Sequence, residues 1–190
     1  VMEGSCIKGP FAIHTGSTIK MGAKIYEGTS IGPKCKVGGE VKNCVIQGYS
    51  NKSHDGYLGN SVIGQWVNLG ADTNCSNLKN TFGEVNIWDY HTRSYKSSGE
   101  TFIGCCIGDY SKTGINTMLN TGTSIGVNCN VFGDGFPPKL IPNFSWGHDD
   151  ANKYRLEKAL ESNRRMAQFT GETIQKSDEE ILEYLTRRRE

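Results

Sequence analysis

The stretch IKGPFAIHTGSTIKMGAKIYEGTSIGPKCKV, residues 7–37, carries an aliphatic side chain at every sixth position. This period matches neither the 3.6-residue repeat of an α-helix nor the two-residue alternation of a simple strand hairpin. It fits a coil of triangular cross-section, in which each flat face takes six residues and a glycine-bearing corner turns the chain. One aliphatic and one small side chain of each repeat then point inward. The aliphatic positions are Ile7, Ile13, Ile19, Ile25, Ile31 and Val37.

The same register returns in two later blocks. The aliphatic slots of these blocks are Tyr57, Ile63 and Leu69, then Thr101, Ile107, Thr113, Leu119, Ile125 and Val131. About fifteen hexapeptides therefore predict about five regular turns, stacked about 4.8 Å apart like strands of a parallel sheet. We expect an all-β solenoid, a parallel β-helix of hexapeptide repeats, over residues 1–136.

Two segments break the period and are expected to leave the coil as surface loops. They are residues 43–56 and residues 75–100. Irregular connections longer than about 12–15 residues are uncommon in compact domains and are often functional. Ligands meet a solenoid at its surface, so these segments are the first place to look for a site.

The composition changes after residue 136. Residues 137–148 are expected to form a cap or linker, and residues 149–190 a helical arm. Asp149 and Asp150 are available to cap a helix that Gly171 ends, and Ser177 with Glu180 has the spacing of a capping box before a second helix. Because the open end of a β-coil needs cover, the arm is expected to be an end-cap or packing element.

The overall composition agrees with a thin, repetitive fold. The chain has 190 residues, of which 24 are glycine and 36% are hydrophobic. A net charge of +1 gives no electrostatic basis for binding nucleic acid or an anionic membrane surface. No segment approaches the roughly 20 apolar residues of a membrane-spanning helix, and none has the pattern of a signal peptide. A cytoplasmic location is expected.

The cysteines and histidines do not predict a metal site. The seven cysteines form no CxxC pair, and the four histidines do not cluster with them. Reduced cysteines acting as small packing residues are the simpler interpretation. The metal-dependent carbonic anhydrases built on coils of this kind use a histidine pair five residues apart, which this chain lacks. A phosphate-binding loop is also absent, because GDGFPPK at 133–139 lacks the required spacing.

Three segments together resemble one enzyme family. They are EVKNCVIQGYSNKSHDGYLGNSVIG (40–64), VNLGADTNCSN (67–77) and GTSIGVNCNVFG (122–133). They resemble the acetyltransferase domain of the bifunctional N-acetylglucosamine-1-phosphate uridyltransferase and glucosamine-1-phosphate acetyltransferase family, as a divergent branch covering about residues 10–135. The resemblance implies a left-handed coil, a homotrimer, acetyl-CoA as donor and an amino-sugar 1-phosphate as acceptor. It implies no metal requirement for the acyl transfer.

The resemblance also implies a general base. N-acetylation needs an unprotonated amine, and an imidazole with an ordinary pKa near 6.5 suits the removal of its proton. His54 matches the family's base in the motif His-x-x-Tyr-Leu-Gly. Without that motif, a loop histidine is usually a solvated surface residue.

Further residues match the family's acceptor site. Lys42 matches the lysine that engages the acceptor phosphate, and Tyr57 and Asn68 match acceptor-binding positions. Tyr57 also occupies an aliphatic slot of the predicted register, so the two interpretations conflict. Lys79 is the nearest candidate for a second acceptor-binding lysine, with Arg93 and Lys96 as rivals.

The donor site is matched less closely. Ala71 matches a position whose backbone N–H serves the thioester carbonyl, and Asn77 matches a neighbour of the acetyl group. The register of the third block aligns Asp109 and Val127 with coenzyme-contacting positions. An alternative alignment selects Cys105 and Thr123 instead. No arginine matches the family's ligand for the coenzyme phosphate, and Lys139 is the available substitute. The competing function is a non-catalytic β-helix that trimerises or regulates a sugar nucleotidyltransferase.

Overall fold

The computed structural model describes residues 1–148 and 152–188. The chain winds into a parallel β-solenoid of triangular cross-section, and each turn gives one short strand to each of three faces. We name these faces A, B and C in the order in which the chain visits them. The corners between them are accordingly the A–B, B–C and C–A corners.

The strands of each face are two to three residues long and pair in parallel register. Face A contains Cys6–Ile7, Lys24–Ile25, Glu40–Lys42, Tyr57–Gly59, Asn74–Cys75 and Met118–Leu119. Face B contains Phe11–Ile13, Thr29–Ile31, Val45–Ile46, Val62–Ile63, Cys105–Ile107, Thr123–Ile125 and Leu140–Ile141. Face C contains Thr18–Ile19, Lys36–Val37 and Asn51–Lys52, followed by Lys112–Thr113 and Asn130–Val131.

The core of the coil is built from columns of inward side chains, one from each turn. On face B the column is mostly isoleucine, because one residue type stacks on itself at the spacing between parallel strands. Its members are Ile31, Ile46, Ile63, Ile107, Ile125 and Ile141, none more than 3% exposed. The predicted parallel β-helix with a C-terminal helical arm is confirmed.

The prediction of a loop at residues 43–56 is wrong. Val45–Ile46 pairs with both neighbouring turns on face B, and Asn51–Lys52 pairs on face C. The six-residue period fails there because the inward residues Val37 and Val41 are four apart and Val41 and Ile46 are five apart. In addition, a lysine fills the next inward slot. A shortened corner leaves the pairing between strands of neighbouring turns intact but interrupts the six-residue period of the sequence.

Two slot assignments also change. Leu58, 1% exposed, occupies the inward slot assigned to Tyr57, and Tyr57 points outward from face A. This resolves the conflict noted for Tyr57. Thr101 lies before the coil resumes at Cys105 and fills no inward slot. Within the segment expected as a cap, 137–148, Leu140–Ile141 forms the last strand of face B.

The second predicted loop does leave the coil, from the A–B corner after Cys75, and the coil resumes at Cys105. Its centre is an antiparallel hairpin, Asn86–Asp89 with Ser94–Ser97. The Tyr90 hydroxyl lies 2.9 Å from the Ser124 hydroxyl, so the hairpin folds over face B. We call residues 76–104 the insertion.

The arm contains two helices, α1 (Leu156–Phe169) and α2 (Lys176–Thr186). Asp149 and Asp150 lie outside the described residues, and α1 begins after Arg155. The expected box of Ser177 and Glu180 does not cap α2. Instead the N–H of Gln175 donates to Asp178 Oδ2 at 3.3 Å, two residues earlier than predicted. Between Val1 and Arg188, excluding residues 149–151, no helix is long and apolar enough to cross a membrane.

The arm packs along the coil and does not only cover its end. The residue at the apex of the B–C corner is aromatic on four of the turns, and these rings form one apolar cluster with the arm. Tyr49 stacks on Trp66 at 4.2 Å between ring centroids, and Trp66 stacks on Tyr110 at 6.3 Å. The cluster contains Trp66, Tyr110 and Phe144 from the coil with Ala159, Ala167 and Leu182 from the arm.

Candidate functional site

A cavity of about 430 Å³ lies at the A–B corner, beside the start of the insertion. It unites three of the predicted site residues, Lys42, Tyr57 and Asn77. Lys42 ends one strand of face A, Tyr57 begins the strand of the next turn, and Asn77 follows the strand after that. The remaining lining residues are Glu27, Gly28, Asn43, Asn60, Leu78 and Phe102.

The corner backbone explains why asparagine recurs in this cavity. Asn43 and Asn60 both have positive φ, 51° and 49°, a conformation that asparagine tolerates better than most residues. Their carboxamides line the cavity, and Asn77 Nδ2 donates to Asn60 Oδ1 at 2.6 Å. Burial raises the pKa of the Tyr57 hydroxyl, and a hydrogen bond with Asn77 opposes this shift. The cavity thus offers a cation, the carboxylate of Glu27, neutral amides and a protonated phenol.

His54 lies at the opposite edge of face A from this cavity. It belongs to the C–A corner that leads into the strand Tyr57–Gly59, whereas Lys42 and Asn60 lie where the chain leaves face A. Its side chain is exposed, and no side chain within the described residues hydrogen-bonds to its imidazole. One chain alone therefore does not bring His54 to Lys42, Tyr57 and Asn77.

Asn68 and Ala71 lie on the His54 side of the coil. Asn68 is half-buried on face C, bridged to Asn51 on one turn and Lys112 on the next. Ala71 follows at the C–A corner, one turn beyond His54, since the N–H of Asp72 donates to the carbonyl of Asp55 at 3.1 Å. The structure therefore places Asn68 and Ala71, predicted from the sequence as acceptor and donor residues, on the same side of the coil as His54.

The backbone at Ala71 is suited to binding a carbonyl oxygen. Its own carbonyl accepts from Asn116 at 2.8 Å, but its N–H has no acceptor among residues 1–148 and 152–188. An N–H that the coil leaves unpaired at a half-exposed corner is available to a ligand. On the following turn, the residue stacked at the same position of this corner is Ile115, whose side chain is 73% exposed. Sequence analysis missed Ile115, although the stacking of turns would have identified it.

Asp109 and Val127 are not brought to Ala71. Both lie at the B–C corner, where Asp109 Oδ1 accepts the N–H of Gln65 at 2.7 Å and the N–H of Val127 donates to Asn143 Oδ1 at 2.7 Å. They line a groove on face B beside Tyr90 of the insertion. The alternative residues Cys105 and Thr123 are each 1% exposed and point into the core.

The lysines proposed for the insertion and its surroundings make other contacts. The Lys79 ammonium donates to the carbonyl of Glu84 and does not line the A–B cavity. Lys96 pairs with Asp89 at 2.6 Å on the hairpin, where Arg93 occupies the turn with φ of 51°. Lys139 lies near Lys79, and burial together with that like charge lowers the pKa of Lys139.

A second cavity, of about 530 Å³, lies where face C meets the arm and was not predicted. Trp146 and Tyr154 stand 4.7 Å apart between ring centroids and form its aromatic side. Its lining carries four basic side chains and one acidic side chain, Lys153, Arg155, Lys158, Arg165 and Glu161. We call it the basic groove. Across the described residues, no group of three or more His, Cys, Asp or Glu side chains could hold a metal ion.

Comparison with known proteins identifies relatives that are longer than this chain. A bifunctional sugar-1-phosphate nucleotidylyltransferase/acetyltransferase of Sulfurisphaera tokodaii is 38% identical over 101 residues, covering 52% of this chain and 25% of the relative. The bifunctional protein GlmU of Synechococcus sp. strain CC9311 is 29% identical over 134 residues, covering 68% of this chain and 25% of the relative. The chain thus spans about a quarter of the length of these relatives.

Two further comparisons concern protein-family models and solved structures. No protein-family model matches the sequence. The crystal structure of the polySia-specific acetyltransferase NeuO superposes with a TM-score of 0.45 at 12% identity, over 88% of this chain and 96% of NeuO. The resemblance stated from the sequence is confirmed: similarity to the bifunctional GlmU-type proteins extends over half to three quarters of this chain.

Proposed function

We propose that this chain is an acyltransferase that moves the acetyl group of acetyl-CoA to the amine of an amino-sugar 1-phosphate. The observation that carries the proposal is the A–B cavity, which unites Lys42, Tyr57 and Asn77, all selected before from the sequence. A lysine ammonium at one end suits a phosphate, and amide and phenol groups suit sugar hydroxyls. The similarity to acetyltransferase-containing relatives supports the same reaction class.

The active unit in this proposal is a homotrimer, with each site shared between copies. His54 and the A–B cavity lie at opposite edges of face A in one chain. When the triangular coils of two copies pack side by side, the C–A corner of one copy lies against the A–B corner of the other. The second copy then supplies the part of the site that the first one lacks.

The chemistry needs three groups in the shared site. The acceptor ammonium loses one proton to solvent, and the free amine attacks the thioester carbonyl while the His54 imidazole takes a second proton from its nitrogen. The N–H of Ala71 donates to the oxyanion that develops there. The C–S bond then breaks, the coenzyme thiolate takes the proton held by the imidazole, and the amide product leaves. Asn68, on the same side as His54, orients the acceptor.

The donor is proposed to lie along the C–A corner. With the thioester at Ala71, an extended chain passes the exposed Ile115 of the next turn and continues toward the end of face C. The basic groove lies at that end and combines an aromatic face with cationic side chains. Those features suit the adenine and phosphates of coenzyme A. In this arrangement Asp109 and Val127 make no contact with the donor.

Release of free thiol from acetyl-CoA in the presence of glucosamine 1-phosphate tests the reaction. We expect turnover by the native chain and its loss in His54→Ala. No turnover with any amino sugar would support the rival function, a non-catalytic β-helix that trimerises or regulates a nucleotidyltransferase. Mass measurement in solution tests the trimer separately.

A complementation experiment tests whether the site is shared. His54→Ala and Lys42→Ala are each expected to be inactive. When the two variants are unfolded together and refolded at equal amounts, about a quarter of the shared sites combine a native His54 with a native Lys42. Activity should therefore return to about that fraction. If both residues served the same site from one chain, the mixture would stay inactive.

A further inference from the structure

Lys52 occupies an inward slot of the coil. It pairs in register with Val37 on face C, where the repeat otherwise places aliphatic side chains, and it is 3% exposed. Removing an ammonium from water is costly, so lysine is rarely buried this deeply without partners. A methionine or leucine side chain would fill this inward position without burying a charge. The lysine therefore needs an explanation other than core packing.

Both hydrogen bonds of the Lys52 ammonium end on the C–A corner. Nζ donates to the carbonyl of His54 at 2.8 Å and to the carbonyl of Gly38 at 3.2 Å. Gly38 belongs to the corner of the preceding turn. The ammonium therefore ties the backbone of the candidate base to the adjacent turn, from inside the coil.

The charges around Lys52 keep the ammonium protonated near neutral pH. Burial lowers the pKa of Lys52 to about 8, and attraction to Asp55 and Asp72 opposes that shift. The Cys44 thiol also faces this region, and burial raises its pKa to about 12, so the thiol is neutral. The two hydrogen bonds to the corner carbonyls are therefore charge-assisted under ordinary conditions.

We propose that Lys52 is a positioning residue: its two hydrogen bonds fix the corner 53–56 and thereby hold the His54 imidazole in the geometry that acyl transfer needs. The proposal rests on the proposed function of His54. Lys52 is buried and touches no substrate, so it acts through the backbone of the corner alone. A small displacement of a general base is enough to slow proton transfer.

The test compares the native trimer with Lys52→Met and with Leu69→Met. Methionine fills either inward slot, and Leu69→Met, on the next turn, controls for a change of core side chain. For Lys52→Met we expect amide hydrogen exchange at residues 53–56 to become at least tenfold faster. We also expect kcat to fall at least tenfold, the KM for the amine to stay within twofold, and Tm not to fall. Leu69→Met should match the native protein in all four.

Two results would overturn the proposal. One is unchanged exchange at residues 53–56 in Lys52→Met. The other is a fall in Tm with faster exchange along the whole coil, which would make Lys52 an ordinary core residue. If the native protein transfers no acetyl group, the proposed function fails, and the exchange and melting comparison then decides by itself whether Lys52 holds this corner.

Discussion

Two corners of the same coil have opposite surroundings. At the B–C corner, Tyr49, Trp66 and Tyr110 adopt left-handed φ angles of 62°, 59° and 61°, and their stacked rings lie beneath the helical arm. At the C–A corner the corresponding turns expose His54, and Ile115 is 73% exposed. No element of the described chain covers that corner. One repeat therefore builds both a packed surface and an open one.

The B–C corner packs against the arm, whereas the C–A corner presents an accessible surface. A left-handed backbone costs a non-glycine residue roughly 1–2 kcal/mol, which the B–C corner offsets by burying large aromatic surface against the arm. The C–A corner meets the same geometry with small polar residues, Asp72 at φ of 56° and Asn116 at φ of 57°. This choice leaves the corner free for ligands. Substitutions at the C–A corner should therefore lower activity and leave stability unchanged, whereas substitutions at the B–C corner should lower stability and leave activity unchanged.

The largest effect is expected for the exposed corner. His54→Ala should lower kcat by about 10²–10⁴-fold, the usual contribution of a positioned general base, and should leave Tm unchanged because the side chain is exposed. Thiol release and thermal melting measure the two. His14→Ala, another exposed histidine, is the control. A large loss of Tm in His54→Ala would contradict the division between corners.

Trp66→Ala should have the opposite signature. Trp66 is 7% exposed between two stacked rings and contacts the arm, so its truncation should lower the free energy of unfolding by about 3–5 kcal/mol. Activity per folded molecule should persist. Chemical denaturation measures the loss, and Phe169→Ala, at a side chain 87% exposed, should change little. Equal stability of Trp66→Ala and the native chain would show that the stacked rings of the B–C corner do not anchor the arm.

The pH dependence of stability should identify the buried charge behind the exposed corner. The pKa of Lys52 is about 8 in the folded chain, below its ordinary value of 10.5. Between these values the unfolded chain binds more protons, so the free energy of unfolding should rise with pH, by on the order of 1–3 kcal/mol. Burial also lowers the pKa of Lys112 to about 8, so the comparison must be made against Lys52→Met, which retains Lys112. A parallel pH profile in that variant would exclude Lys52 as the source.

The smallest effect is expected at Ile115. Ile115→Ala should raise the KM for acetyl-CoA about fivefold, because the side chain loses apolar contact with the donor worth about 1 kcal/mol. Tm should not change, since the side chain is 73% exposed in the free chain. Met21→Ala is the matched control, at an exposed apolar residue of the same corner near the start of the coil. Identical KM values for Ile115→Ala and Met21→Ala would argue against a donor along this corner.

The period predicted the fold because each inward slot contributes the same packing to the core. It failed where corners are shorter, by two residues between Val37 and Val41 and by one between Val41 and Ile46. It also failed where Lys52 replaces an aliphatic residue. A count along the chain cannot tell a shortened corner from a loop. The pairing of Val45–Ile46 with the turns above and below distinguishes them, and that information is three-dimensional.

The candidate site was less predictable for a different reason. Motif matching found Lys42, Tyr57 and Asn77, which the fold unites, and Ala71, whose N–H the fold leaves unpaired. It did not identify Ile115 as a neighbour of Ala71, because that depends on which residues stack at one corner. The basic groove combines residues of the coil end with residues of α1, and no local motif links them.

The insertion leaves the coil after Cys75 and returns at Cys105, and the turns on either side of it pair directly, Val62 with Cys106 and Ile63 with Ile107. The stack is therefore continuous beneath it, and the strand register of the coil does not depend on the insertion. Its length and sequence can change without altering the register of any other strand. Evolution can thus exchange this segment, and with it the walls of the neighbouring cavities, as a unit independent of the scaffold.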